Sequence, residues 1–220
     1  RMSKGLLQPI EAKLSKQLVD WSERYMSMTS KEVLIKAVAQ AIPTHSMSCF
    51  KLTKKVYKGL ASVMARYWWS SSVDRRLLHS IDWPSLAEPK VSGGMGFRNL
   101  ELFNLALLGK HGWNLIINPD SLCARVLKGK YFPQSDFMAA TVPKCASATW
   151  RAICAGKQAL GAGLVKRIGD GTSVSICYDS WVPGLLSLRP TAHIGNTNII
   201  VVSELIDGDR GLWKVELVRH

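Results

Sequence analysis

Four lysines with helical spacing are the residues of this sequence whose types and arrangement best suit a chemical task. They are Lys51, Lys54, Lys55 and Lys58. They share one side of the first half of a helix predicted over residues 51–69. Cations along one helix face can neutralise successive phosphates of a nucleic acid and release its counterions. Because long cations are also the default residues of a solvated surface, a plain charged face is the alternative interpretation.

Two arginines follow in the connection after this helix. Arg75 and Arg76 lie between Trp69 and Trp83, and arginines interleaved with aromatic rings can bind unpaired bases. The tryptophans are better explained as core residues, since large aromatic side chains dominate core energetics. We therefore take Arg75 and Arg76, together with the four lysines, as the candidate nucleic-acid-binding residues.

The net charge favours a polyanionic partner. The 220 residues carry 29 Lys and Arg against 16 Asp and Glu, a formal charge of +13. Residues 1–80 hold fourteen basic and five acidic residues, whereas residues 81–220 hold fifteen and eleven. No stretch has the roughly eighteen apolar residues that a membrane span requires. We expect weak, non-specific binding of an RNA or DNA duplex, mostly through the N-terminal region, and no membrane association.

Catalytic groups are not arranged for a reaction. A polymerase needs neighbouring carboxylates that hold two divalent metals, and no Asp-Asp pair occurs in the sequence. Asp207 and Asp209 flank Gly208 in a polar segment that is typical of a turn. The five histidines are scattered, and none lies in a motif that would pair it with a Ser or Cys nucleophile. We therefore predict no catalytic residue and no cofactor.

The cysteines indicate reduced thiols. They are Cys49, Cys123, Cys145, Cys154 and Cys177. Their number is odd, no CxxC occurs, and no histidine stands at a zinc-ligand spacing from them. Nothing in the sequence resembles a secretory signal peptide. We expect an intracellular protein with no metal site of its own.

A glycine-rich turn precedes the most regular helical pattern. Gly93, Gly94 and Gly96 suit a tight turn, and Asn99 can cap the helix that Asn118-Pro119 ends. The residues expected on its buried face are Leu102, Leu105, Ala106, Gly109, Trp113 and Ile116. A phosphate-binding loop would need a preceding strand and a Gly-Lys-Ser/Thr ending, and the sequence has neither.

The remaining patterns predict a mainly α fold. Apolar periodicity favours helices over residues 9–26 and 121–130, a helix that a Thr29 capping box begins and Pro43 ends, and another capped by Ser147 or Thr149. Thr44–Phe50 reads as a connector or short extended piece. After residue 163, alternating segments around Gly169-Asp170-Gly171 predict a small antiparallel β element, a hairpin of residues 165–168 and 174–178.

Ordered motifs along nearly the whole chain resemble one family. They are Lys31 to Thr44 (KEVLIKAVAQAIPT), Met47 to Phe50, Trp68-Trp69, Pro89-Lys90, the Gly-Gly-x-Gly-Phe turn, Phe103-Asn104, Lys130 to Pro133 (KYFP), Trp150-Arg151, Gly169 to Gly171 and Asp179 to Trp181. This order resembles the segment C-terminal to the catalytic palm in plant LINE-type (non-LTR) retrotransposon reverse transcriptases. It is also similar to short reverse-transcriptase relics of plant nuclear and mitochondrial genomes. Two departures are Met28-Thr29-Ser30-Lys31, where the family has Ser-x-Ala-Gly-Lys, and Thr53, where it has proline.

The resemblance implies a different role for each of three regions. Residues 1–72 would be a thumb-like helical bundle that grips a primer–template duplex, residues 73–163 a helical connecting region, and residues 164–220 an incomplete start of a zinc-binding reverse-transcriptase domain. The family's Tyr-x-Asp-Asp strand would lie upstream of Arg1 and most of its zinc cluster beyond His220, so magnesium is implied only for the missing palm domain.

Two functional interpretations follow. In one, the chain is a non-catalytic fragment of a retrotransposon RNA-directed DNA polymerase that contributes backbone contacts to nucleic acid. Its start at Arg1, followed by Met2, favours a fragment or a processed product. In the other, it is a domesticated or relic protein that serves as a protein-interaction module. Nucleus and mitochondrion both remain open as locations.

Overall fold

Helices make up most of the chain, as the sequence predicts. The computed structural model of the protein describes residues 3–22, 26–69, 81–185, 188–190, 200–208 and 211–218. The chain divides into two compact units, residues 1–160 and residues 161–220. The division into three functional regions, with a boundary at residue 72, stays a prediction. In the described ranges no helix is both long and apolar enough to cross a membrane.

The elements follow one another in a simple order. The α-helices are α1 (Ser3–Ser22), α2 (Met28–Leu34), α3 (Thr44–Cys49), α4 (Lys54–Trp69), α5 (Trp83–Ala87), α6 (Leu100–Ile117), α7 (Leu122–Tyr131), α8 (Ala148–Ala155), α9 (Lys157–Gly163) and α10 (Val215–Val218). One π-helical turn, Ile35–Ala39, continues α2, and a 3₁₀ turn covers Lys90–Ser92. A second 3₁₀ turn, Val202–Leu205, precedes the two short strands β1 (Ile206–Asp207) and β2 (Leu212–Trp213).

Side-chain caps fix where several helices begin. The Asn99 side-chain oxygen accepts hydrogen bonds from the amides of Glu101 and Leu102, and Ser147 caps α8 through the amide of Trp150. Both caps confirm the sequence prediction. The predicted capping box at Thr29 is wrong, because Ser27 caps α2 and starts the helix at Met28. The segment expected as a connector after Pro43 is the short helix α3.

The glycine turn inserts an aromatic ring into the core of the first unit. Phe97 is 2% exposed, stacks on Trp83 with ring centroids 4.9 Å apart, and meets the edge of Trp68 at 5.3 Å. A Cβ atom on Gly94 would lie 2.1 Å from the carbonyl oxygen of Glu88, so only glycine fits there. The turn is therefore a packing device, and the tryptophans of this region contribute to the core as predicted.

Two apolar clusters fill the first unit. The larger one joins α1 and α4 with the turn around Phe97; its fully buried members include Leu14, Ile35, Met47, Leu60 and Met64. The smaller one surrounds the fully buried Trp150 and lies between α7, α8 and the C-terminal half of α6. Gly156 lies so close to α6 that a Cβ atom there would be 2.4 Å from the amide nitrogen of Gly109.

The predicted inner face of α6 is wrong except at Gly109, which is buried. Leu102 is 63% exposed and Trp113 is 43% exposed, whereas the buried residues are Leu100, Asn104, Leu108, Gly109, Gly112 and Leu115. Because α6 is apolar on nearly every side, its periodicity does not select a face. The buried face is the one that carries Asn104 and the two glycines, which permit close approach of neighbouring backbone and side chains.

The β element lies later in the second unit than the predicted hairpin. Strands β1 and β2 pair antiparallel, with Ile206 opposite Trp213. The segment around Ser175 pairs instead with the segment around Val201, since Ile176 donates its amide to Ile200 and Val202 donates to Val174. The small β element after residue 163 is thus confirmed, while the hairpin of residues 165–178 is not formed.

Candidate nucleic-acid interface

The four lysines predicted to bind nucleic acid are all exposed, and three of them lie on one face of α4. The helix begins at Lys54 rather than at residue 51, so Lys51 lies in the short connection between α3 and α4. At about 100° per residue, Lys54, Lys55 and Lys58 fall within one 100° sector. We call Lys51, Lys54, Lys55 and Lys58 the lysine face. The structure thus places three of the six predicted site residues on one helix face, with Lys51 three residues before the helix begins.

Arg66 extends the lysine face and was missed from the sequence. It is exposed on α4, on the same side as Lys58 and separated from it by Ser62 at successive four-residue intervals. This interval was the signal that could have found it. Arg75 and Arg76 lie outside the described residues.

The opposite side of α4 holds the helix in the core. Val56, Leu60 and Met64 are buried there, and α1 packs along α4. The Glu11 carboxylate of α1 lies against Gly59, 2.2 Å from where a Cβ atom would be, so this side chain of α1 packs on α4. The direction of the lysine face is therefore set by the packing of the first unit.

A buried asparagine fixes the connection that carries Lys51. Asn104 of α6 is fully buried, and its side-chain oxygen accepts hydrogen bonds from the Leu52 amide at 3.0 Å and the Tyr57 hydroxyl at 2.5 Å. Its amide nitrogen donates to the carbonyl oxygens of Met47 at 2.5 Å and Phe50 at 3.0 Å. We call these contacts the Asn104 clamp. Because it holds residues on both sides of Lys51, the backbone of the lysine face is ordered where it leaves the helix.

Burial has an electrostatic effect on the clamp. It raises the pKa of Tyr57 to about 12, with a further contribution from the negative charge of Glu101. Tyr57 is therefore a neutral hydrogen-bond donor at physiological pH. His111 of α6 adds a contact from its Nε2 to the Ser48 carbonyl oxygen at 3.0 Å, so α6 is tied to α3 as well.

Among the described residues, the lysine face has no ion-pair partner within 4.0 Å. The ion pairs of the described chain join Glu32 to Lys36 at 2.7 Å and to Lys90 at 2.9 Å, and Asp179 to Lys166 at 2.9 Å. Within these described ranges, none of the four lysines has a carboxylate oxygen within 4.0 Å. Four exposed and uncompensated ammonium groups can bind successive phosphates of a nucleic acid.

The charge of the two units differs completely. Residues 1–160 hold 23 basic and 10 acidic residues, and residues 161–220 hold six of each. The first unit therefore carries the whole formal charge of +13, and the second unit is neutral. Any general attraction to polyanions belongs to the unit that contains the lysine face.

The described residues do not form a site for a catalytic metal. Among them, no group of three or more His, Cys, Asp or Glu side chains could hold a metal ion. Asp207 lies in β1, and Asp209 lies outside the described residues. The five cysteines are free thiols.

Two proteins of Arabidopsis thaliana are similar to this chain. An uncharacterized mitochondrial protein is 39% identical over 151 residues, which are 68% of this chain and 98% of that protein. A putative ribonuclease H protein is 30% identical over 219 residues, 96% of this chain and 35% of that protein. The chain thus spans about a third of the length of the second relative. No protein-family model and no solved structure matches the chain.

Proposed function

The chain belongs to the same family as the uncharacterized mitochondrial protein of Arabidopsis thaliana, and we propose that it is a retrotransposon-derived, non-catalytic nucleic-acid-binding protein. In this proposal it corresponds to the region C-terminal to the palm of a LINE-type reverse transcriptase. Its first unit grips the backbone of a duplex, and the missing palm domain of the parent protein carries the polymerase site and its magnesium ions.

The relatives support the retroelement part of the proposal. A reverse transcriptase produces an RNA–DNA hybrid, and ribonuclease H is an activity that acts on such a hybrid. Similarity over 96% of the chain to a protein named a putative ribonuclease H protein fits an origin in an element that makes these hybrids. The mitochondrial name belongs to the other relative, so nucleus and mitochondrion both stay within the proposal.

The single observation that carries the binding function is the uncompensated lysine face. Its four ammonium groups are exposed, three of them on one sector of a well-packed helix, and the Asn104 clamp orders the backbone next to the fourth. Contact with about four phosphates predicts a slope near −3 to −4 in a plot of log K against log salt concentration. Sequence preference should be slight, since phosphate contacts position a protein without reading bases.

The test compares two variants of equal net charge. The first replaces the lysine face by Lys51→Gln, Lys54→Gln, Lys55→Gln and Lys58→Gln. The second changes four exposed cations elsewhere, by Lys13→Gln, Lys16→Gln, Lys110→Gln and Arg167→Gln. Duplex affinity is measured by fluorescence anisotropy over a salt series. We expect the first variant to weaken all duplexes alike and to flatten the salt slope, and the second to change both much less.

Equal behaviour of the two variants would show that binding depends on total charge alone, and the lysine face would then be an ordinary solvated surface. Binding as tight as that of the parent, with an unchanged slope, would remove the support for nucleic-acid binding by α4. The protein-interaction module would then be the better interpretation of the chain.

A further inference from the structure

A second basic region lies far along the chain from the lysine face. Residues 121–160 hold six basic residues and one acidic residue, Asp136. The rest of residues 81–220 holds nine basic and ten acidic residues. The positive excess of the C-terminal two thirds of the chain is therefore confined to about forty residues around α7 and α8.

Side-chain contacts place one of these cations on a tyrosine and tie two others to the segment that holds the tyrosine hydroxyl. The Lys130 ammonium lies over the ring of Tyr131, 5.4 Å from its centroid. The Tyr131 hydroxyl contacts the Ser147 hydroxyl at 3.2 Å and accepts a hydrogen bond from the Ser147 amide at 3.3 Å. Arg151, one helical turn after Ser147, donates to the carbonyl oxygen of Lys144 at 2.5 Å. We call Lys130, Tyr131, Lys144, Ser147 and Arg151 the tyrosine platform.

The Tyr131 ring is held by stacking on a buried tryptophan. Trp150 is fully buried and stacks on Tyr131, with ring centroids 4.6 Å apart and planes inclined by 4°. The contacts with Ser147 hold the other end of the side chain. Tyr131 keeps part of its surface accessible, while Lys130, Lys144 and Arg151 around it are exposed. A fixed, partly exposed aromatic ring with cations in the same segment requires little ordering when a flat ligand stacks on it.

The cations of the platform make no ion pair with a described residue. In the described parts of the chain, neither Lys130, Lys144 nor Arg151 has a carboxylate oxygen within 4.0 Å. We propose that the tyrosine platform binds an unpaired stretch of nucleic acid, with a base stacked on Tyr131 and the flanking phosphates held by Lys130, Lys144 and Arg151. Lys130 then moves from the ring to a phosphate when the base arrives.

The geometry favours a single strand over a duplex. Bases within a duplex are already stacked on one another, so only an unpaired base can place its π face on a protein ring. The four residues of the lysine face carry charge and no ring, whereas the platform combines charge with a partly exposed ring. The inference goes beyond the proposed duplex binding, and the two surfaces are separable because they share no residue.

The experiment measures two ligands with three variants of the full chain. The ligands are a single-stranded oligothymidylate and a blunt DNA duplex, both followed by fluorescence anisotropy at one salt concentration. The variants are Tyr131→Leu, which removes the ring, Tyr131→Phe, which keeps it, and the triple change Lys130→Gln, Lys144→Gln and Arg151→Gln. The lysine-face variant described above serves as the comparison, and circular dichroism verifies the fold of each protein.

We expect Tyr131→Leu to weaken oligothymidylate binding by about fivefold or more, from the usual contribution of one base–aromatic stack. Tyr131→Phe should bind nearly as the parent does, and the triple variant should lose at least as much as Tyr131→Leu. Duplex binding should stay within about twofold of the parent in all three, since the lysine face is intact. The lysine-face variant should show the reverse pattern.

Two outcomes overturn the inference. One is an unchanged affinity of the triple variant for oligothymidylate; this variant keeps the Tyr131–Trp150 stack, so unfolding would not confuse the result. The other is loss of single-strand binding only in the lysine-face variant. A loss of duplex binding in that variant, with single-strand binding retained, supports both proposals; failure of the duplex test alone leaves the platform standing.

Discussion

The buried side chain of Asn104 fixes the backbone next to the lysine face without being part of that surface. Its fully buried amide group makes four hydrogen bonds, all to residues 47–57, more than 45 positions earlier in the chain. Such a group is stable in a core only when its donors and acceptors are satisfied. The clamp therefore holds the 50–53 connection, which contains Lys51, in one conformation.

Replacing Asn104 should be costly. In Asn104→Ala, the Leu52 amide, the Tyr57 hydroxyl and two carbonyl groups lose their partner inside the core, and we expect a loss of about 3 kcal/mol or more in the free energy of unfolding. Urea denaturation followed by circular dichroism measures it. Asn114→Ala, an exposed asparagine of the same helix, is the control and should cost less than about 1 kcal/mol. A similar small loss for both would show that the clamp does not stabilise the protein.

Tyr57 should make the protein sensitive to alkaline pH. Its pKa is raised to about 12 in the folded protein, against about 10 for an unfolded chain. Between these values the unfolded chain releases the proton and the folded chain keeps it. The stabilisation by Tyr57 is therefore complete below pH 10, and up to about 2 to 3 kcal/mol is lost as the pH rises toward 12.

The measurement is the pH dependence of urea unfolding for the parent and for Tyr57→Phe. We expect a shallower alkaline slope in the variant, with a remainder that Tyr67 explains, because burial raises the pKa of that phenol as well. Parallel slopes in the two proteins would mean that Tyr57 ionises freely in the folded state.

At the scale of elements, the contact between α6 and α8 depends on missing side chains. The amide nitrogen of Gly109 and the carbonyl carbon of Leu108 would lie 2.4 and 2.6 Å from a Cβ atom on Gly156. These are backbone atoms of a helix, so they cannot move aside as a flexible side chain would. The helix crossing that supports Trp150 therefore requires glycine at this position.

Gly156→Ala should destabilise the protein by about 1 to 3 kcal/mol through overpacking. Gly129→Ala is the matched control within α7, where nothing lies within 4 Å of the added atom. That change should stabilise the protein by roughly 0.5 to 1 kcal/mol, because alanine has the better helix propensity. Thermal unfolding distinguishes the two signs, and a stabilised Gly156→Ala would contradict the close crossing.

Helix caps could be predicted from the sequence, whereas hydrogen bonds between distant segments could not. Asn99 and Ser147 were identified as caps because a cap acts within three residues. The predicted hairpin after residue 163 does not form. The Ser175 amide donates to the Asp179 side chain at 2.7 Å, and the backbone of the residues on either side of Ser175 pairs with residues 200–202. For α6 the pattern was apolar on too many sides to choose a face. Arg66 has a local signal, its four-residue spacing from Ser62 and Lys58.

For the whole molecule, charge is segregated between the two units. The first unit carries the entire +13, and the second is neutral. Long-range attraction should thus bring polyanions to the first unit before any specific contact forms. The family resemblance located the candidate function, whereas the unequal charge of the two units became apparent only when the structure gave the boundary at residue 160.

The chain should not polymerise DNA on its own. The sequence has no Asp-Asp pair, and in the described residues no three metal-binding side chains converge, so two catalytic metals have no evident ligands. Primer extension on an RNA template with magnesium or manganese is the measurement, with a buffer-only reaction as control. Extension above that control by the purified chain would refute the non-catalytic part of the proposed function.

The Asn104 clamp should also slow hydrogen exchange at one backbone amide. The Leu52 amide lies outside any helix, and amides of such connections ordinarily exchange their hydrogen with solvent quickly. This one is bonded to a fully buried oxygen of α6, so deuterium should replace its hydrogen only when α6 separates from the connection. The exposed neighbours Lys51 and Thr53 should exchange far sooner. The exchange rate of the Leu52 amide hydrogen therefore reports how often the core that supports the lysine face opens.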